Sequence, residues 1–296
     1  MAIAKIVILA LQVSIFLLVF SLGLRTTWRD ATSLFKRPAK LIRAAFAMLV
    51  VAPVVAALLA GLFHLHPAVK LALIFLAVSP MPPLIPQKQL KLGATAAYVN
   101  GMLTAISLLS IVFVPIAIEI LGKIFGQDVH IGPLAVANVV GRTILLPLGL
   151  GILVHARAPA FAQRTSTPLG RIANVLLLLT AVPLLIFAIR PVMSLVGHGE
   201  VLAMIALAVV AVAVGHWLGG PDLRERSTLA MDTASRHPGM ALAIAAANFP
   251  EDRRLVAAAI VLYLLVSTVV LLPYDAWCRR RLARSLEPTG PQQKAA

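Results

Sequence analysis

Asp232, Arg236 and His237 lie close together in the run MDTASRHPGMALAIAAANF, Met231 to Phe249, followed at once by Pro238 and Gly239. An acid, a guanidinium and an imidazole can bind an anion, carry protons, or simply pair with one another. Their setting narrows the choice, because the surrounding residues 225–249 are apolar enough to enter a bilayer. Arg236 stands about ten residues, or roughly 15 Å, into that run, near the bilayer middle. An arginine at that depth costs from about 3 to more than 10 kcal/mol unless it faces protein or trapped water. Pro238 has no N–H and disfavours helix at His237, and Gly239 permits unusual dihedrals. The chain is therefore expected to unwind around Ser235 to Gly239, exposing backbone groups that a polar cavity must satisfy. Arg236 is then a substrate contact or a structural partner of Asp232, one helical turn away. Asp232 and His237 are candidate proton carriers, since an imidazole titrates near neutral pH, although a buried histidine can equally be satisfied by a neighbouring carbonyl.

A second interrupted run, SPMPPLIPQKQLK, carries Pro80, Pro82, Pro83 and Pro86, so no continuous helix can pass through it. Gln87, Lys88 and Gln89 follow the break. Lys88 either reaches the cavity or extends to the interface beside Lys91. Asn100, in the next apolar run, is the remaining candidate for the cavity. Arg142, His216 and Glu119 read as interfacial or helix-pairing residues. The chain shows no glycine-rich nucleotide loop, zinc-protease motif or nucleophile elbow, and the lone Cys278 leaves no thiol pair for a metal. The expectation is a non-enzyme without cofactor or metal.

The elements that position these residues follow from composition. Of 296 residues 60% are hydrophobic and 12% charged, with mean hydropathy +0.95, which no water-soluble domain sustains. The apolar runs have helical length and few aromatics, which predicts an all-α multi-pass membrane protein and not a β-barrel. The runs are 4–24, 40–63, 67–92, 94–121, 131–154, 169–189, 199–219, 225–249 and 253–275. The net charge of +15 does not signal nucleic acid, because the basic residues cluster in short loops between these runs. Four basic patches, at 25–43, 157–171, 224–226 and 279–284, should share the cytoplasmic side, so an even number of crossings separates any two. That parity makes both interrupted runs cross. Nine helices result, with the N-terminus outside, the C-terminus in the cytoplasm, and a bacterial inner membrane as the location. Met1 to Leu24 is read as a retained first helix and not a cleaved signal. Residues 1–276 form one transmembrane domain, with repeat 1 over about 4–121, a linking helix at 131–154, repeat 2 over about 169–275, and a basic, polar tail at 277–296. Two broken helices at matching positions in halves of opposite orientation point to a transporter site at their crossing.

VFSLGLRTTWRDATSLFKRPAKLIRAAFAMLVVAPVVAALLAGLFHLHPAVKLALIFLAVSP resembles the start of the bile acid:sodium symporter family. LAMDTASRHPGMALAIAAANF is similar to the family's second broken helix, and RTILLPLGLGILVH to its intervening helix. The resemblance implies a core of two crossing broken helices and a panel of spans 1, 5 and 6 that moves against it. It places the family's acidic sodium ligand on Asp232, its Gln–Asn pair on Arg236 and His237, and its Ser–Asn stretch near Ile85 and Pro86. Arginine has no acceptor atom and proline no side-chain oxygen, so these positions lack the oxygens a hard cation requires. The expected function is secondary transport of a small organic anion bound at Arg236, His237, Lys88, Gln87 and Asn100, proton-coupled or uncoupled. The alternatives are a sodium-coupled symporter of bile-acid-like anions with rearranged ligands, and a membrane receptor that binds without moving its ligand.

Overall fold

The computed structural model describes residues 2–197 and 199–286, and the described residues are helical without strands. Helix α1 spans Ala2–Gly23, and a short α2, Trp28–Ala31, sits in the basic loop after it. Then follow α3 (Pro38–Leu62), α4 (Pro67–Val78), α5 (Ile85–Lys91) and α6 (Ala96–Ile124). The second half comprises α7 (Pro133–Arg157), α8 (Pro159–Met193), α9 (Glu200–Leu218), α10 (Leu223–Ala234), α11 (Pro238–Asn248) and α12 (Arg253–Leu286).

Seven helices among the described residues, α1, α3, α6, α7, α8, α9 and α12, are long and apolar enough to cross a membrane. The two remaining apolar runs are each divided into a pair of short helices, α4 with α5 and α10 with α11. Proline sets the boundaries. It opens α3, α4, α7, α8 and α11, where the missing N–H is one that the first helical turn leaves unpaired anyway.

Two helices outrun their expected lengths. Helix α8 begins at Pro159, so Arg164 and Arg171 lie on a helix and not in a loop. Its Pro168, Pro183 and Pro191 are tolerated inside it. Helix α12 continues past 275 to Leu286 and carries Arg279, Arg280, Arg281 and Arg284, so the basic part of the expected tail is helical. Residues 287–296 lie outside the described residues.

Two packing groups are evident. Helices α1, α7 and α8 pack on one another. Gly23 and Gly151 let α1 and α7 meet backbone to backbone: a Cβ on Gly23 would stand 2.5 Å from the Leu148 carbonyl oxygen, and one on Gly151 2.5 Å from that of Phe20. Helices α4, α11 and α12 form the other group, with α10 held between α9 and α12.

Candidate functional site

The first break runs from Ser79 to Leu84, between α4 and α5. A helix end leaves its last carbonyls without intrahelical partners. Pro80, Pro82 and Pro83 have no N–H to offer them. The second break is shorter, Ser235 to His237. The helix resumes at Pro238, so the unwound stretch ends two residues earlier than the sequence suggests. Gly239 lies in the first turn of α11 without a positive φ. Its lack of a side chain serves space instead: a Cβ there would stand 3.0 Å from the His237 Cε1. Pro86 likewise belongs to the first turn of α5 and not to the break itself.

The breaks touch through their backbones. The His237 N–H donates to the Pro80 carbonyl at 2.8 Å. Arg236, only 1% exposed, donates from Nη1 to the Met48 carbonyl at 3.0 Å and to the Ser79 carbonyl at 3.3 Å. The Tyr263 hydroxyl of α12 donates to the Ala234 carbonyl at 2.9 Å, satisfying one of the last acceptors of α10.

The Met48 carbonyl is available for a specific reason. Residues 46–51 of α3 form a wide π-type turn in which the Ala52 N–H reaches back to Ala47. That N–H is lost to Met48, and the next one along would belong to Pro53, which has none. The Arg236 guanidinium takes the vacated role. A matching π-type turn at Gly141–Leu145 of α7 precedes Pro147, and its Thr143 faces His237. Thr143 Oγ1 donates to the Val139 carbonyl at 2.7 Å, leaving its lone pairs for His237 Nε2 at 3.2 Å. His237 Nδ1 accepts the Met240 N–H at 3.2 Å as the cap of α11. These partners define a neutral imidazole with its hydrogen on Nε2.

Asp232 is fully buried and accepts from Gln89 Nε2 at 2.5 Å, while the same amide also donates to the Thr228 carbonyl at 3.1 Å. Asp232 makes no ion pair with Arg236 within 4 Å among the described residues; the guanidinium reaches the carbonyls instead. Asp232 Oδ2, Gln89 Oε1 and Arg236 Nη2 are buried without a hydrogen-bond partner.

Successive residues on α5 are turned by about 100°, so Gln87, Lys88 and Gln89 address three neighbours. Gln87 Nε2 meets Ser21 Oγ at 3.3 Å on α1, and its carbonyl oxygen accepts from Asn174 on α8 at 3.2 Å. Lys88 is ion-paired with the buried Asp275 of α12. Gln89 goes to Asp232. Asn100 donates from Nδ2 to Thr26 Oγ1 at 2.8 Å, with its side-chain Oδ1 unpartnered. The structure thus gathers Arg236, His237 and the first break into one crossing, with Asp232 a turn away, while Gln87, Lys88 and Asn100 serve separate contacts. Arg142 is exposed, and Glu119 pairs with Lys123 on the surface at 3.3 Å.

Several partners were not singled out from sequence: the Met48 carbonyl, Ser79, Thr143, Gln89 as the partner of Asp232, Tyr263 and Asp275. The usable signal for the first and third was a proline inside an apolar run, VVAPVV and ILLPLG, which marks a helix whose ladder must shift. No cluster of three metal-ligating side chains occurs among the described residues.

Two broken helices that cross around a buried guanidinium, with seven membrane-length apolar helices and no strand among the described residues, define a membrane protein of the transporter class. The chain belongs to the sodium bile acid symporter family, whose family model matches residues 12–195. Members of that family are membrane transporters of bile-acid-like or other organic anions, not enzymes. The match ends before α9, so the second break is read from its own residues and geometry. No curated protein matches the chain.

Proposed function

We propose that the protein is a secondary transporter that moves a small organic anion by alternating access, with the Arg236 guanidinium as a built-in cation in place of a sodium ion. The observation that carries this reading is the sharing of Arg236 Nη1 between the Met48 and Ser79 carbonyls while Nη2 keeps no protein partner. Two carbonyl oxygens converging on one positive group resemble a cation site, and a covalently attached charge occupies it permanently. The unpartnered Nη2 is a donor for a substrate carboxylate or sulfonate, and charge-assisted bonds of that kind are the strong ones.

Nine crossings, with both broken runs spanning, agree with the element order. A whole helix, a whole helix, a broken pair and a whole helix occur in that order in α1–α6, setting aside the short α2, and again in α8–α12. The inverted repeat, the external N-terminus, the cytoplasmic C-terminus and the bacterial inner membrane rest on the same charge parity as in the sequence. The packing of α1, α7 and α8 on one another suits a panel that rocks against the two crossing pairs. Gln87 of α5 bonds to Ser21 of α1 and Asn174 of α8, which supports a role for it on the moving seam. Lys88 and Asn100 take part through their bonds to Asp275 and Thr26, as supports of α5 and α6. If transport is proton-coupled, Asp232 is the better carrier than His237, because both nitrogens of His237 have protein partners whereas Asp232 Oδ2 has none.

One observation favours a second reading. Asp232 Oδ2 and Gln89 Oε1 are buried, unpartnered oxygens on adjacent side chains, which could ligate sodium. Counterflow of labelled organic anions into proteoliposomes, with sodium replaced by choline, separates the readings. Counterflow that persists without sodium supports the built-in cation. Counterflow that stops supports sodium coupling, and anion binding without counterflow makes the protein a receptor.

A further inference from the structure

Helices α9 and α12 border a groove of about 540 Å³ on the far side of α12 from the Lys88 pair. Val209, Val212, Val270 and Pro273 make its apolar length, and His216, Tyr274 and Trp277 line one end. The lining recurs at helical spacing on both helices, so the groove is built into their packing and is not an accident of one rotamer. Its volume falls within the roughly 300–1,000 Å³ of ordinary ligand sites.

That end is polar and basic. His216 Nδ1 and the Tyr274 hydroxyl are hydrogen-bonded at 2.7 Å, and the imidazole stands edge-on to the rings of Tyr274 and Trp277. Arg281 lies over the Trp277 ring, 5.6 Å from its centre. Arg226, whose Nε is held by the Gly220 carbonyl, packs its backbone against Gly219, about one turn beyond His216 at the end of α9. The nearby acid, Asp275, is already neutralised by Lys88. Arg279, Arg280 and Arg284 continue the positive charge along the exposed end of α12. An apolar channel leading to an aromatic belt and then to arginines matches an acyl chain, its ester region and a phosphate.

We infer that the groove between α9 and α12 holds an acyl chain of an anionic phospholipid, with the phosphate between Arg226 and Arg281. A neutral phospholipid fits the apolar length equally well, so the arginines are what make the site selective. Each arginine beside an anionic headgroup contributes about a fivefold preference.

Trp277 reports on the site directly. With Trp28 and Trp217 changed to phenylalanine, it is the remaining tryptophan. The purified full-length protein is reconstituted into vesicles of phosphatidylcholine containing an equal mole fraction of either brominated phosphatidylglycerol or brominated phosphatidylcholine. Bromine on an acyl chain in the groove quenches Trp277. The expected result is several-fold stronger quenching by the phosphatidylglycerol, and loss of that preference in R226Q/R281Q with unchanged helix content. Equal quenching by both lipids overturns the inference, as does a preference that survives in R226Q/R281Q. Absence of quenching by either lipid overturns it too, and crosslinking then shows whether a second copy of the chain covers the groove.

Discussion

The two helix breaks are made by opposite means. The first, Ser79 to Leu84, is rich in proline and contains no charge, so it presents carbonyl oxygens and few N–H groups. The second, Ser235 to His237, contains a guanidinium and a backbone N–H, that of His237, that bonds outside its own helix. Where they cross, every resolved bond between them runs from the second to the first: Arg236 to Ser79, and His237 to Pro80. One break is an acceptor surface, the other a donor surface. A crossing made of two acceptor-rich breaks would lack donors for its carbonyls; here the Arg236 guanidinium supplies one to Ser79.

The largest departure from this balance comes from Arg236→Met. It leaves the Met48 and Ser79 carbonyls buried without a donor, at roughly 1–3 kcal/mol each. Thermal unfolding in detergent should fall accordingly, and anion counterflow should be abolished. Counterflow near the wild-type rate in this variant would remove Arg236 from the mechanism.

Pro53→Ala tests the other side of the same bond without touching the crossing. It restores an N–H that can satisfy the Met48 carbonyl within α3, so the guanidinium loses one of its two acceptors. Stability should hold or rise, because a proline leaves a helix interior, while counterflow should drop by about tenfold, the equivalent of one weak hydrogen bond near 1.4 kcal/mol. An unchanged rate would show that Met48 does not hold Arg236 in its working position.

Tyr263→Phe removes the hydroxyl that satisfies Ala234 at the end of α10. Interhelical bonds in membranes average about 0.6 kcal/mol, with a maximum near 1.7, and the thermal midpoint should fall by that modest amount. The smallest effect belongs to Pro82→Ala. The first break has further prolines on both sides, so restoring one N–H should change stability by less than about 1 kcal/mol and leave counterflow intact. A large loss there would mean that the breaks are less redundant than their compositions imply.

Much of this architecture is legible in the sequence because bilayer insertion demands long apolar runs and helix breaks demand proline. The interrupted runs at 67–92 and 225–249 appear in the structure as α4 with α5 and α10 with α11 for that reason. The ends of α8 and α12 were less legible. Arginines read as loop punctuation, yet a helix can continue past its apolar stretch with its basic residues exposed, as at Arg164 and Arg281. The partners of Arg236 were hidden more deeply. Backbone carbonyls carry no sequence signature, and Met48 becomes an acceptor only because Pro53 shifts the ladder of α3. Gln87, Lys88 and Gln89 read as one polar cluster, whereas helical rotation sends them to α1 with α8, α12 and α10 respectively. The second break lies outside the matched residues 12–195, and its role rests on geometry alone.

The account stands on Arg236 filling a cation's place at the crossing, and equilibrium binding of radioactive sodium to the purified protein tests that most directly, since it requires no knowledge of the substrate. The prediction is no saturable sodium binding to the wild-type chain. Saturable binding that disappears in Asp232→Asn would contradict the account and place sodium at the Asp232–Gln89 oxygens instead.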